Sequence, residues 1–124
     1  MSLTHLLDDV VDQKLLQLVR TEREVLTDVL QHLQEVDRRR LYSKHKFPSL
    51  FGYATKRLGY SEDQAGRRIS AMRLLKELPA IESKIESGAL TLSHLVRAQS
   101  MFRREKKADR KRTSVQKIEL LTMI

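Results

Sequence analysis

Glycine and proline, the residues that most often interrupt helices, are scarce in this chain. Its 124 residues include four glycines and two prolines, with only six aromatic side chains. Leucine and the long side chains of Glu, Lys, Arg and Gln, all of high helix propensity, are abundant. We therefore expect an all-α protein that folds as a multi-helix bundle.

The length and the 40% apolar content allow one domain with a modest core, but not two independent domains. We expect residues 1–124 to form a single helical domain in three parts. Long amphipathic helices occupy residues 1–41, a helix-turn-helix with supporting helices occupies residues 48–103, and a basic connector with a terminal helix occupies residues 104–124.

The segment from Pro48 to Leu78 predicts two helices joined by a tight turn. Gly59 can adopt the left-handed conformation that ends the first helix, and Ser61 can cap the first free amides of the second. In the second helix, apolar residues recur at spacings of four and three, which predicts one buried face packed on the first helix. The expected contact joins Ala65, Ile69 and Met72 to Leu50, Phe51, Ala54 and Leu58.

A second face of the same helix carries Gln64, Arg67, Arg68 and the small Ala71, and we expect it to point outward. Arginine can bind guanine or phosphate with two hydrogen bonds, and glutamine can pair with adenine, so this face suits a DNA major groove. The alternative is an ordinary αα-hairpin whose arginines are simply solvated.

Positive charge is concentrated after residue 40. Residues 1–40 hold six Lys and Arg against eight Asp and Glu, a net charge of −2, whereas residues 41–124 hold 18 against eight, a net charge of +10. A basic field around the helix-turn-helix indicates a polyanionic partner, and nucleic acid is the natural candidate. The alternative is a generic basic surface that aids solubility or meets an acidic protein.

The amino-terminal part predicts two amphipathic helices. Apolar residues recur at spacings of three and four over residues 3–19, and a second helix is expected to start at Thr21, whose spacing to Glu24 matches a capping box, and to run to about Arg40. Such long apolar stripes exceed what a small core can cover. We therefore expect the chain to self-associate through this amino-terminal half, for example as a homodimer.

Residues 37–46 contain six basic side chains, counting His45. These side chains either bind phosphates beside the second helix of the motif, or they simply stabilise the carboxyl end of the preceding helix, where positive charge is favourable. Pro48 is expected in the first turn of the following helix. The residues predicted to contact phosphates are Arg38, Arg39, Arg40, Lys44, Lys46 and Lys56.

Beyond Leu78 the sequence predicts three more helices. Pro79 opens a short one that Gly88 ends, and Thr91 begins another, with Leu92, Leu95, Val96 and Phe102 on its apolar stripe. Residues 106–112 hold five basic residues against one acidic residue and are expected to form a mobile or phosphate-contacting connector. A final helix, capped by Thr113 or Ser114, stops abruptly on apolar residues, which suggests the front part of a longer protein.

The residues needed for most catalytic and metal sites are missing. The chain has no cysteine and no asparagine, and its four histidines are scattered. We find no Gly-rich phosphate loop, no Ser-His-Asp arrangement and no paired His spacing, so we expect no cofactor, no metal, no small-molecule substrate and no enzymatic activity. Neither a basic signal peptide nor an apolar run of roughly 20 residues is present, so we expect a cytoplasmic protein without a membrane partner.

The layout of residues 58–99 resembles the helix-turn-helix region of ParB-like partition proteins. That pattern has a G-x-S turn, an arginine-bearing helix, Leu-Pro, a short helix, a glycine and a Leu-Ser-x-His-like helix start. The chain departs from it at Arg68, where the pattern usually has an apolar residue. The matching residues are Gly59, Ser61, Leu78, Pro79, Gly88, Leu92, Ser93 and His94.

A closer resemblance covers about residues 25–120 and includes RRRLYSKHKFPSLFGYATKRLGYSEDQAGRRISAMRLLKELP. This stretch looks like the helical amino-terminal region of bacterial HNH-endonuclease-like proteins, which precedes a nuclease module in full-length members. The resemblance implies a DNA-binding module, either the targeting region of an HNH-type protein or a relative without the nuclease, and located at the nucleoid. The alternative is a protein-interaction or dimerisation scaffold with an incidental basic surface.

Overall fold

Residues 2–124 are described by a computed structural model, and all regular structure in this range is helical. A π-helical turn, Tyr53–Arg57, continues α3, and a 3₁₀ turn, Pro79–Ile81, precedes α5. The prediction of an all-α multi-helix bundle is confirmed. The α-helices are α1 (Asp8–Arg39), α2 (Leu41–Lys44), α3 (Leu50–Gly52), α4 (Glu62–Glu77), α5 (Glu82–Ser87), α6 (Leu92–Lys107) and α7 (Ser114–Thr122).

The amino-terminal part is one helix, so the prediction of two helices is wrong. Thr21 lies inside α1, where its hydroxyl donates to the carbonyl of Gln17 at 3.1 Å instead of capping a new helix. No glycine or proline lies between residues 8 and 39, so nothing breaks the 32-residue helix. Arg40 ends it in a left-handed conformation, φ 52°.

Only the second half of α1 joins the core. Every side chain from Leu7 to Leu18 is exposed, and we call these residues the α1 arm. Further along, Thr27, Leu30 and Leu33 are buried. At about 1.5 Å per residue the arm extends roughly 17 Å along the helix axis. The carboxyl-terminal half of α1 therefore packs in the core, and its amino-terminal part is exposed to solvent.

The core forms where α4 packs between α1 and α6, with α5 closing against α1. This packing buries side chains from all four helices and from α7, whose Leu121 is also covered. None of the helices in residues 2–124 is long and apolar enough to cross a bilayer. Fully buried apolar side chains include Leu30, Met72, Leu74, Leu78, Ile81, Ile85, Leu90, Leu95 and Leu121.

The turn before α4 has the predicted conformation. Gly59 has φ 80°, and Ser61 and Gln64 form a reciprocal capping box at the start of α4. The preceding helix differs from the prediction in its start, because Ser49 is its cap and accepts a hydrogen bond from Gly52 N–H at 3.0 Å. Pro48 therefore lies before the cap rather than in the first turn.

The predicted contact between α3 and α4 is correct in part. Leu50 and Ala54 are buried, as are Ala65, Ile69 and Met72 of α4. Phe51 and Leu58 do not join them, being 42% and 44% exposed. The π-helical turn at Tyr53–Arg57 adds one residue per turn, which changes the faces on which the residues after Gly52 lie.

The caps of the later helices agree with the predictions. Gly88 ends α5 with φ 86°, Thr91 and His94 form a capping box at α6, and Thr113 caps α7. On α6, Leu95 and Phe102 are buried, while Leu92 and Val96 are half-buried. His94 is thus a capping residue, since its Nδ1 accepts the Thr91 N–H at 3.1 Å.

Candidate nucleic-acid interface

The three side chains predicted to enter a DNA groove are each engaged within the protein. The Oε1 of Gln64 accepts the Ser61 N–H at 2.9 Å. Arg67 is half-buried, and its Nη2 donates to the Ser93 hydroxyl at 2.8 Å, which links α4 to the start of α6. Arg68 donates to the Gln64 carbonyl at 3.2 Å, and its guanidinium lies 4.7 Å from the centre of the Tyr60 ring.

These contacts leave part of each arginine available. A guanidinium carries five N–H donors, and one hydrogen bond within the protein uses one of them. The contacts to Ser93 and Tyr60 hold Arg67 and Arg68 close to the surface of α4. They can therefore bind an anion beside α4 without first losing much side-chain freedom.

The prediction that Ala71 faces outward is wrong, because its exposed fraction is 0%. Since α4 packs against α1 on one side and α6 on another, its buried surface is wider than the predicted stripe. The outward face of α4 begins with the acidic Glu62 and Asp63, continues through Gly66 and reaches Arg73. A DNA-facing surface on α4 would thus be centred near Gly66 and Arg73.

Gly66 is unusual on this face, since it lies inside a helix and has no role in internal packing. A Cβ built at Gly66 meets no atom within 4 Å, and the backbone there is not left-handed. Glycine in a helix interior costs about 1 kcal/mol relative to alanine. Nothing within the folded chain compensates for this loss.

The predicted phosphate contacts after α1 fall into two groups. Arg38 and Arg39 are already paired with Glu35, their Nε atoms lying 2.6 and 3.7 Å from its Oε1. The hydrogen bond from Arg38 is the main cause that lowers the pKa of Glu35, and the same bond raises the pKa of Arg38.

The other four predicted phosphate contacts are exposed, and no carboxylate within residues 2–124 lies within salt-bridge distance of them. Arg40 and Lys46 have positive φ angles, 52° and 66°, at the two ends of α2. Cations held in this way on short turns can meet a phosphate without giving up an internal partner. The four are Arg40, Lys44, Lys46 and Lys56.

A strongly basic groove of about 340 Å³ lies between the second half of α6, the connector and α7. Two of its cations are paired: Arg112 with Glu105 and Lys117 with Glu77, each at 2.6 Å. Three have no carboxylate partner in the described residues, and we call this site the α6–α7 groove. The unpaired cations are Arg103, Lys106 and Lys111.

A second groove, of about 430 Å³, adjoins the outward face of α4. Its polar lining includes Ser70 and Arg73 beside Gly66 on α4, Tyr42 from α2, and one acidic residue, Asp37, from α1. Arg103 lines both grooves, so a line of cations runs from α4 into the α6–α7 groove. We call Arg73, Arg103, Lys106 and Lys111 the basic strip.

The sequence predictions found only part of the basic strip. The sequence predicts, as one alternative, that residues 106–112 contact phosphates, but it does not single out Arg73 or Arg103. The sequence feature that points to these residues is the local excess of cations on α6 and the connector. Which cations are neutralised depends on the partners Glu77 and Glu105, and the Glu77 pair joins residues 40 positions apart.

No family model, curated protein or solved structure matches this chain. Nor does any group of three or more His, Asp or Glu side chains in residues 2–124 have the arrangement of a metal site. The surface described above is therefore the basis for any assignment of function.

Proposed function

We propose that this protein binds duplex DNA through the basic strip and the outward face of α4. The observation that carries the proposal is that Arg103 lines two adjoining grooves and connects Arg73 of α4 to two further cations, Lys106 and Lys111, that also lack carboxylate partners. Duplex DNA presents one negative charge about every 1.7 Å along its axis, so a line of unpaired cations matches its backbone.

The glycine at the centre of the α4 face supports the same placement. A helix that enters a groove or lies on a backbone needs at least one position where its own backbone can come close. Gly66 provides such a position and has no internal reason to be glycine. In this proposal Gly66 faces the DNA, Arg73 and Arg103 contact phosphates beside it, and Arg67 lies at the edge of the contact.

The motif predictions enter the proposal in modified form. Gln64, Arg67 and Arg68 stay candidates for contact with base edges, and their internal hydrogen bonds hold them in place for that role. Phosphate contacts dominate affinity and carry no base information, so the basic strip would provide strength and the α4 residues any sequence preference.

The proposed biological role follows from the resemblance to HNH-endonuclease-like and ParB-like proteins. Residues 1–124 would act as a DNA-targeting helix-turn-helix module without a catalytic centre of their own. We propose that such a module works in the cytoplasm, at the nucleoid.

The test is fluorescence anisotropy of the chain with a labelled mixed-sequence duplex at several salt concentrations. The logarithm of affinity should fall linearly with the logarithm of salt, with a slope near 0.9 per phosphate neutralised. Replacing Arg103, Lys106 and Lys111 together by alanine should lower that slope by about 2 to 3. The control replaces Arg20, an exposed cation on the first half of α1 outside the basic strip, and should leave the slope unchanged.

Two single variants separate base contact from phosphate contact. Arg67→Ala should weaken binding by about 1–3 kcal/mol and relax any base preference, whereas Lys44→Ala should weaken binding to all sequences alike and reduce the slope by about 1. Salt-insensitive binding, or equal effects of the strip variant and its control, would refute the proposal.

A second candidate function is a protein-interaction or dimerisation scaffold. It is favoured by the apolar side chains of the α1 arm, since Leu7, Leu15 and Leu18 are each at least half exposed. A scaffold would show no linkage between salt and binding to a polyanion. The same titration therefore distinguishes the two candidates.

A further inference from the structure

Exposed and half-buried apolar side chains form one stripe along α1, while Leu16, which is also exposed, lies on the opposite face. Leu7, Val11 and Leu18 are followed, 18 residues later in each case, by Val25, Val29 and Val36. Eighteen residues are five full helical turns, so the two sets lie on the same face of the helix. The first set lies on the α1 arm and the second lies on the half of α1 that packs against the body.

The second set forms the floor of an apolar groove of about 530 Å³. Tyr53, Leu58 and Tyr60, from the segment that precedes α4, line its side. Leu58 and Val25 are 44% and 51% exposed, so the groove is open to solvent. One copy of the chain thus carries both an uncovered apolar arm and an uncovered apolar groove on the same helix.

The arm and the groove have the same length. Leu7 to Leu18 and Val25 to Val36 each span 11 residue steps, about 17 Å along the axis. If two α1 helices lie antiparallel with Leu18 opposite Val25, then Leu7 comes opposite Val36. Each arm then fills the groove of the other copy, and a twofold axis passes between residues 21 and 22.

Charge favours the antiparallel orientation. In this register Lys14 comes beside Asp28 of the second copy, on the same flank of the stripe, and the pair occurs twice by symmetry. The two helix dipoles also oppose each other, which is favourable.

The arm leaves its apolar face uncovered. It continues the helix that the packed half of α1 already nucleates, so what it lacks is a packing partner for that face. Every side chain from Leu7 to Leu18 is exposed in the single chain. A helix pair that runs from Leu7 to Val36 is about 44 Å long and about 10 Å wide, so it buries roughly 440 Å² on each copy before the groove wall is added, against a lower limit of about 500 Å² per copy for a specific interface.

We infer that the protein is a homodimer in which the two α1 helices pair antiparallel, the arm of each copy lying in the groove formed by Val25, Val29, Val36 and Leu58 of the other. The inference does not depend on DNA binding, because the basic strip lies on α4, α6 and the connector.

Sedimentation velocity over a range of micromolar concentrations tests the association. The parent chain should sediment as a dimer that dissociates on dilution, and Leu15→Glu should be monomeric. The matched control is Gln13→Glu, which places the same charge on the same arm but about 150° away from the stripe. It should stay dimeric, and circular dichroism should show that the body of each variant is folded.

Disulfide cross-linking tests the orientation. Because the chain has no cysteine of its own, each variant carries only the introduced thiol. Glu22→Cys lies next to the proposed twofold axis and should cross-link to itself. Leu7→Cys should not, because the two copies of that residue would lie at opposite ends of the pair. A mixture of Val11→Cys and His32→Cys chains should give the mixed cross-link.

Glu22 is the one acidic residue that interrupts the stripe between Leu18 and Val25, so Glu22→Leu should tighten the dimer at least about tenfold.

A monomer at every concentration would overturn the inference. So would a dimer that persists in Leu15→Glu, which would place the contact elsewhere, and so would self-cross-linking of Leu7→Cys, which would show a parallel pair. Cross-linking of Glu22→Cys together with the loss of the dimer in Leu15→Glu would establish it.

Discussion

Gly66→Ala should stabilise the folded chain, whereas the same substitution at Gly59 should destabilise it. Both glycines are exposed, and a Cβ built at either one meets no atom within 4 Å. They differ in backbone conformation, since Gly59 has φ 80° in the turn and Gly66 lies inside α4. The pair thus isolates the effect of conformation from that of packing.

The expected magnitudes follow from that difference. Alanine is favoured over glycine in a helix interior by about 0.8–1.0 kcal/mol, and at Gly66 no clash reduces the gain. An L-residue in the left-handed region costs about 1–2 kcal/mol, which sets the loss at Gly59. With about 2.1 cal/mol/K of unfolding entropy per residue, Gly66→Ala should raise the Tm of this chain by roughly 3–4 °C.

Thermal unfolding followed by circular dichroism, with urea denaturation as a second method, measures both variants. A lower Tm for Gly66→Ala would refute the argument, because it would mean that the outward face of α4 touches other parts of the fold. Duplex affinity gives an independent result. If α4 lies on DNA as proposed, the added methyl group should weaken binding several-fold despite the gain in stability, and unchanged affinity would contradict that placement.

Three further perturbations test the fold and its charges. Ser61→Ala removes the capping hydroxyl of α4 and should lower the free energy of unfolding by about 0.5–2 kcal/mol in urea denaturation, whereas Ser61→Asp should retain the cap. Leu30→Ala, at a position with an exposed fraction of 0%, should lower it by about 2–5 kcal/mol, and a smaller loss would mean that the α1 core is loosely packed. The pKa of Glu35 is lowered from 4.5 in the folded chain, chiefly by the hydrogen bond from Arg38, so its stabilising effect is present above pH 4.5 and is lost as the pH falls through the lowered value. Glu35→Gln should remove that part of the acid dependence and, by releasing Arg38 and Arg39, should increase duplex affinity at neutral pH; no change in either would contradict the ion pair or the phosphate role of these arginines.

Signals that act within a few residues were correctly interpreted from the sequence. Ser61 and Thr91 begin helices and Gly88 ends one, as expected, whereas Gln64 and His94 are not predicted as the reciprocal capping partners. Each of these features depends on hydrogen bonds between residues at most three positions apart, or on the φ angle of one glycine. Such local chemistry is present in the sequence whatever the rest of the fold does.

The errors arose where a local signal competed with a longer-range effect. Thr21 and Glu24 have capping-box spacing, yet α1 continues through them because no residue between 8 and 39 breaks a helix and the second half is held by the core. Ala71 lies off the predicted stripe but is covered, because α4 packs between two helices rather than against one. A hydrophobic pattern along one helix does not show how many neighbours that helix has.

For the candidate surface too, some properties follow from the sequence and others only from the tertiary structure. The sequence by itself places a charge of +10 after residue 40 and predicts an all-helical chain, since both properties follow from the residue types and their positions along the chain. Tertiary structure decided which cations are neutralised, through pairs such as Glu77 with Lys117, and which grooves Arg103 joins. It also decided that one end of α1 is buried and the other exposed. The physical reason is that helix propensity, capping and net charge are properties of nearby residues, whereas burial and ion pairing depend on which distant segments the fold brings within a few ångströms of each other.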